Sequence, residues 1–205
     1  GFAAAPAAAA ASNVTIQDGD SIYQPGEDVT FKVDNTSAST DIQYFLDLDD
    51  DGEFDSGEPN GSVGAPASGT TSNQTLTVPT DAADGAAKVG AIQNSTLNPG
   101  NNAEDSVSIT IDGTSPSLRK ATHYANGTTT PVLELSHDEN VQTDGSAEAE
   151  IGLSNGTIAT GSNVSIVGGN ITGGLVQINT TATFNNVQNV SVTGLEDAAG
   201  NAVSS

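Results

Sequence analysis

The chain contains no cysteine. No disulfide can staple it, and no thiolate can ligate a metal or attack a substrate. Methionine and tryptophan are absent too. Basic residues are nearly so: Lys32, Lys88, Arg119 and Lys120 stand against 26 Asp and Glu, a formal net charge of -22. Binding nucleic acid or an anionic lipid surface needs Lys or Arg to displace counterions. Nucleic acid and direct membrane insertion are therefore excluded as partners. No run approaches the roughly 20 apolar residues of a membrane-spanning helix. With only five Phe and three Tyr, the core is expected to be shallow and built from Val, Ile, Leu and Ala.

So much acid with so few aromatics has two readings, an unfolded chain or a halophilic one. Regular strand patterns along the sequence favour the second. At molar salt the Debye length shrinks to about 3 Å, so an acidic surface stays soluble without tearing itself apart. Stability is then expected to lean on salt and on bound cations.

Absence of disulfides often marks a reducing compartment, but another signal points outside the cell. Eleven N-x-[ST] sequons occur, at Asn13, Asn35, Asn60, Asn73, Asn94, Asn126, Asn155, Asn163, Asn170, Asn179 and Asn189. Chance yields several in a chain rich in Asn, Ser and Thr. The excess predicts an exported protein at the cell surface carrying N-linked glycans.

The 205 residues suffice for two β-sandwiches of about 100 residues each. Residues 1–12 form an Ala tract broken by Pro6, too short to be a stable helix alone. It reads as the start of a mature chain, and as a tail or an arm. From 13 to 113, short β-runs alternate with Gly, Pro, Asn and Asp clusters. They are 14–17, 28–33, 41–48, 74–78, 87–92 and 106–111, with a Pro-Gly turn at Gln24-Pro-Gly-Glu27. After a seam at Gly113-Thr-Ser-Pro116 the signals restart over 114–205, at 117–124, 131–135, 147–153, 163–167, 175–178 and 187–192. The expectation is an all-β fold: two tandem immunoglobulin-like β-sandwich domains preceded by an extended N-terminal arm.

The sharpest motif runs from Asp47 to Glu58, Asp-Leu-Asp-Asp-Asp-Gly-Glu-Phe-Asp-Ser-Gly-Glu. Carboxylates fall at positions 1, 3, 5, 9 and 12 of a twelve-residue calcium loop, as Asp47, Asp49, Asp51, Asp55 and Glu58. Gly52 sits at position 6, where such a loop turns sharply, and Glu53 at 7 offers its carbonyl. Calcium takes six to eight hard oxygens, which this set supplies. No helix is expected on either side, so the motif reads as a β-hairpin loop holding a structural Ca2+. A second acidic set, Glu139, Asp144 and Asp197 with Asn201, reads better as solvated acid. Gly152-Leu-Ser154-Asn-Gly156 fits a nucleophile elbow only on paper, because no helix follows and both His123 and His137 lie upstream. Both histidines read as ordinary surface residues. No P-loop, dinucleotide or zinc pattern occurs, and nothing singles out a glycosidase pair.

Three stretches of the second domain resemble the immunoglobulin-like domains of bacterial and archaeal surface-layer and adhesive proteins. They are the Thr114-Ser-Pro116 seam, the acidic turn in Leu133-Glu-Leu-Ser-His-Asp-Glu-Asn-Val141, and Asp197-Ala-Ala-Gly-Asn-Ala202. With its Ala tract, Tyr23-Gln-Pro-Gly-Glu27 turn and acidic loop, the whole chain resembles haloarchaeal surface glycoproteins. The chain is expected to be a structural subunit of an extracellular assembly, a pilus-like filament or a surface lattice, and not an enzyme. The arm of residues 1–12 would donate a strand to the next copy of the chain, making a homopolymer. The alternatives are a glycan- or cell-binding adhesin module and a fragment of a tethered surface-layer glycoprotein.

Overall fold

The computed structural model describes residues 12–34, 36–37, 39–123, 133–153, 158–159, 164–180 and 187–204. These residues are strand, turn and loop, with no helix among them. The chain divides into two compact units, Gly1–Gly113 and Thr114–Ser205.

The described residues of the first unit form ten strands: β1 (Ser12–Ile16), β2 (Ile22–Tyr23), β3 (Asp28–Asp34), β4 (Ile42–Asp47), β5 (Glu53–Phe54), β6 (Asn60–Val63), β7 (Gln74–Thr77), β8 (Gly85–Gln93), β9 (Asn101–Asn102) and β10 (Asp105–Ile111). One sheet runs β1-β3-β7, a second β2-β10-β8-β4-β6, and β5 and β9 form a small ladder of their own. Strand β3 alternates strictly, with Val29, Phe31 and Val33 turned in and the polar residues between them turned out. Strand β4, between β8 and β6, is buried along its whole length. Residues of both sheets share one core, with Val14, Val29, Phe31, Val33 and Leu76 on one side and Tyr23, Ile42, Tyr44, Leu46, Val89 and Ile109 on the other. Each such side chain contributes roughly 1.5–3 kcal/mol by leaving water.

This core departs from the aliphatic one expected. Tyr23, Phe31, Tyr44, Phe45 and Phe54 are all buried. Phe31 meets Tyr44 edge to face across the two sheets, centroids 5.2 Å apart. Among the described residues the aromatics all lie in this unit, and the large area each buries strengthens its core. Phe45 points from β4 away from that shared core and meets Phe54 at 5.5 Å. Phe54 belongs to the acidic loop, so the loop is pinned to the sheet by a ring contact.

The second unit holds β11 (Leu118–His123), β12 (Leu133–His137), β13 (Gln142–Leu153), β14 (Ile158–Ala159), β15 (Val164–Thr172), β16 (Leu175–Thr180) and β17 (Val187–Glu196). Its sheets run β11-β12-β16-β15 and β14-β13-β17. Leu133, Leu135, Val176 and Ile178 of the first face Ala149, Ile151 and Leu195 of the second in one core. His137 corrects the surface reading. It is 7% exposed, and its Nδ1 lies 2.9 Å from the Gly174 carbonyl oxygen, which satisfies a buried ring nitrogen. The arm of residues 1–12 lies outside the described residues except for Ser12, which opens the edge strand β1.

Candidate metal centre

Strands β4 and β6 pair antiparallel, with Phe45 opposite Asn60. Residues 48–59 therefore leave the sheet as one hairpin loop, closed at its base by Leu46 N–H donating to the Pro59 carbonyl at 2.8 Å. Within the loop, Glu53 and Phe54 pair with Asn102 and Asn101. The Gly52 carbonyl accepts from Ala103 N–H and the Phe54 carbonyl from Gly100 N–H. Alternation along a strand then turns the intervening Glu53 carbonyl to the opposite side.

Two buried carboxylates organise the loop. Asp47, 1% exposed, accepts Gly52 N–H at 2.7 Å and Asp51 N–H at 3.2 Å. Glu58, 8% exposed, accepts Leu48 N–H at 2.7 Å and Asp55 N–H at 2.8 Å. Asp51 accepts Glu53 N–H at 2.7 Å. Gly52, at φ +88°, occupies the left-handed region that the sharp turn requires. Asp50 also has positive φ, at 62°. Lys88 holds it there, its Nζ 2.8 Å from both the Asp50 carbonyl oxygen and Oδ1.

The carboxylates converge. Oxygens of Asp47, Asp49 and Glu58 lie within 4.8 Å of one another, and so do those of Asp49, Asp51 and Asp55. Calcium–oxygen bonds of 2.3–2.6 Å put opposite ligands about 5 Å apart, so the separations within each group suit an ion of that size. Asp49 is common to both groups. Five of the six residues expected as ligands thus fall into two carboxylate groups joined through Asp49, and the Glu53 carboxylate is in neither. All donors are hard oxygens, the set that selects Ca2+ over the softer transition metals. A surface cleft of about 430 Å³, lined among others by Asp49, Asp55, Glu58 and Asp81, gives the centre a route from solvent.

Electrostatics fit the same reading. Burial pushes the Asp47 carboxyl above its ordinary value, against the pull of the Gly52 N–H. Burial likewise raises Glu58, and the charges of Asp47 and Asp49 add to it. Both groups gain from a cation beside them. Lys88, its own pKa raised by the Asp50 hydrogen bond, reaches Asp50 and not the converging oxygens. Neither Lys88 nor Asp81 could be assigned here by spacing, since β8 and the loop around residue 81 lie far along the chain.

The second acidic set falls apart in part. Carboxylate oxygens of Glu139 and Asp197 do approach within 4.8 Å. Asp197 is not solvated, being 2% exposed. It accepts from Ala199 N–H, Asn201 N–H and Asn201 Nδ2, which folds its own turn. Exposed Asp144 instead caps a local turn through Ser146 N–H and Oγ.

Among the sequons, Asn13, Asn60, Asn73 and Asn189 are exposed and Asn94 is half-buried. Asn170 and Asn179 lie in β15 and β16. Asn35, Asn126, Asn155 and Asn163 fall outside the described residues, as do Ser154 of the elbow pattern and Tyr124. Buried Tyr23 and Tyr44 are not available as the exposed rings that a glycan-binding loop would use.

Residues 41–131 match the family described as the GEVED domain. That stretch contains the whole acidic loop. Over 176 residues, 85% of its length, the chain is 28% identical to a "Cell surface glycoprotein" of Haloferax gibbonsii, of which it spans 19%. The ectodomain of the teleost fish polymeric Ig receptor is similar at a TM-score of 0.31 and 13% identity, over 85% of this chain and 94% of that one. The similarity to haloarchaeal surface glycoproteins read from short motifs thus extends over most of the chain, and the chain is extracellular, at the cell surface.

Proposed function

We propose that the chain is a structural unit of an extracellular cell-surface assembly, and that Ca2+ bound by the Asp47–Glu58 loop rigidifies its first unit. The observation that carries this is the gathering of five carboxylates, two of them buried, into two groups that share Asp49, the oxygens of each group lying within 4.8 Å of one another. Bound calcium supplies positive charge there. Asp47 and Glu58 hold the loop backbone while offering their oxygens, and Asp49, Asp51 and Asp55 close the set from the solvent side. Since Phe54 is packed on Phe45, ordering the loop orders the outer face of β4 as well.

The finer reading is a filament or lattice in which residues 1–12 of one copy add a strand to the next. Strand β1 lies at the edge of its sheet and begins at Ser12, so the preceding segment enters at a sheet margin, where strand exchange is geometrically simple.

Thermal melts of the purified chain in high salt, with calcium and then with a chelator, test the first part. Calcium should raise the midpoint of wild type well above that of Asp49→Ala. Equal midpoints for wild type in both conditions overturn the calcium centre. Electron microscopy with and without residues 1–11 tests the second. Unchanged filaments or sheets from the truncated chain overturn the donor arm.

A further inference from the structure

Strand β11 is anomalous for a strand in a two-sheet unit. All its residues are exposed except half-buried Thr122. Ala121 and His123 stand opposite Leu135 and Leu133, which are buried, so they lie on the core side of the sheet and still see solvent. Leu118 is 44% exposed, the exposed large apolar residue among those described. Among the described residues β11 is terminal in its sheet and pairs with β12 alone, with Ser204 bridged to Ser117 just ahead of it, so it stands as an edge strand there.

On this strand sit Arg119 and Lys120, half of the four basic residues in a chain of net charge -22. The pairing with β12 slips between Leu118 and Lys120, leaving Arg119 as an extra residue. A bulge of this kind re-aims a side chain that strict alternation would send to the opposite face. Arg119 makes no ion pair among the described residues. It acts on Asp138 only at a distance, as a minor contribution behind the Ser117 hydrogen bonds that depress the Asp138 carboxyl. On ordinary proteins an edge lysine repels a like edge and blocks pairing. Here nearly every surface it could meet is acidic, and the sign reverses.

The same unit carries a matching surface. Glu148 and Glu150 flank buried Ala149 on β13 and both face solvent. Their neighbours on β17 are Thr193 and Ser191, uncharged and exposed. Two carboxylates two residues apart on a strand stand about 7 Å apart, a spacing that two adjacent long cations can span.

We propose that β11 is a contact surface for a second copy of this chain, with Arg119 and Lys120 of one copy pairing with Glu148 and Glu150 of the next. The two patches differ, so the contact is heterologous and propagates into an open chain or closes into a ring. This rests on the reading of the chain as an assembly unit and adds a surface separate from the N-terminal arm.

Sedimentation of the full chain over a concentration series, in salt and calcium that keep it folded, is the test. Wild type should self-associate. Arg119→Glu with Lys120→Glu, and separately Glu148→Lys with Glu150→Lys, should each weaken association at least tenfold with unchanged circular dichroism. An equimolar mixture of the two variants should regain it, because each then offers the patch the other needs. Association of both variants at wild-type strength, or failure of the mixture to recover, overturns the β11 contact while self-assembly by another route stands. A wild type monomeric at every concentration overturns the contact and the assembly reading together. The calcium centre is judged separately, by the chelator melts.

Discussion

Asp47 and Glu58, the first and last residues of the acidic loop, each accept two main-chain N–H groups from inside it, while their carboxylate oxygens, with those of Asp49, lie within 4.8 Å. The loop is thus fastened at both ends by the groups that face its centre. Hydrogen bonds to a carboxylate are among the stronger ones, so the loop keeps its shape without an ion. The cost is three negative charges gathered in a partly buried place, which a divalent cation removes.

Asp49→Ala separates these two roles. Asp49 is exposed and belongs to both oxygen groups. Its contact with Asp47 favours the protonated form there, so its loss should not destabilise the ion-free loop. In chelator, wild type and variant should melt together. In calcium at 100 times the wild-type Kd, wild type gains about 2.7 kcal/mol. A variant that binds tenfold more weakly should lose about 1.4 kcal/mol of that. Calorimetric titration with CaCl2 measures the affinity directly, and equal affinities for the two proteins would remove Asp49 from the site.

Gly90→Ala tests how the loop is seated. A Cβ at Gly90 would stand 2.8 Å from Phe45 Cζ and 3.1 Å from the Ala103 Cβ. Phe45 is fully buried against Phe54 and cannot swing out. Overpacking of this kind typically costs about 1–3 kcal/mol. The displaced ring should also shift Phe54 and weaken calcium binding. A melt and an affinity both equal to wild type would show that the Phe45–Phe54 contact does not seat the loop.

The spacing of oxygens and glycine from Asp47 to Glu58 was legible because an acidic hairpin loop is a local device, written within twelve residues. The alternation in β3 and the buried pattern of β12 were legible for the same reason. What escaped depends on chain segments distant in sequence. Strands β2, β5 and β9 have two residues each and no period to read, and they exist because a remote partner supplies the hydrogen bonds. His137 reads as a surface residue until β16 and the Gly174 carbonyl are laid beside it. Lys88 lies 38 residues from Asp50, so no motif could join them. The aromatic core escaped because low content says nothing about where the few rings are placed.

Asp18→Asn should lower stability in a pH-dependent way. Burial raises the Asp18 carboxyl, but Thr30 N–H at 2.7 Å, the Tyr23 hydroxyl at 2.8 Å and Asp20 N–H at 3.2 Å together hold it below its ordinary 3.8. A depressed carboxyl contributes stability above its unfolded value and loses it as pH falls through the folded one. Asp18 is exposed, so solvent screening limits the effect to on the order of 1 kcal/mol. The gap between wild type and variant should stay constant from neutral pH to about 4 and close below that. Urea melts across the range measure it, and a gap that persists unchanged below pH 3 would show that the ionised form of Asp18 is not what holds Tyr23 and Thr30.

Salt is the widest test of the acidic surface. A formal charge of -22 on 205 residues is opposed among the described residues by a single ion pair, Lys88–Asp50. Exposed carboxylates on one unit repel over distances that 0.1 M salt, with a Debye length of about 10 Å, screens only partly and 1 M salt, at about 3 Å, screens almost fully. Unfolding spreads the charges apart and relieves the repulsion, so dilution of salt favours the unfolded chain. The melting midpoint should climb with NaCl, most steeply below about 1 M. The climb should be larger in chelator than in calcium, because the five converging carboxylates of the Asp47–Glu58 loop are then compensated by salt alone. Replacing NaCl with sucrose at equal osmolality should not reproduce the rise, since an uncharged osmolyte stabilises by exclusion and does not screen. A midpoint that stays flat from millimolar to molar NaCl in the presence of chelator would mean that the folded chain tolerates its own charge, and that the acid serves something other than life in brine.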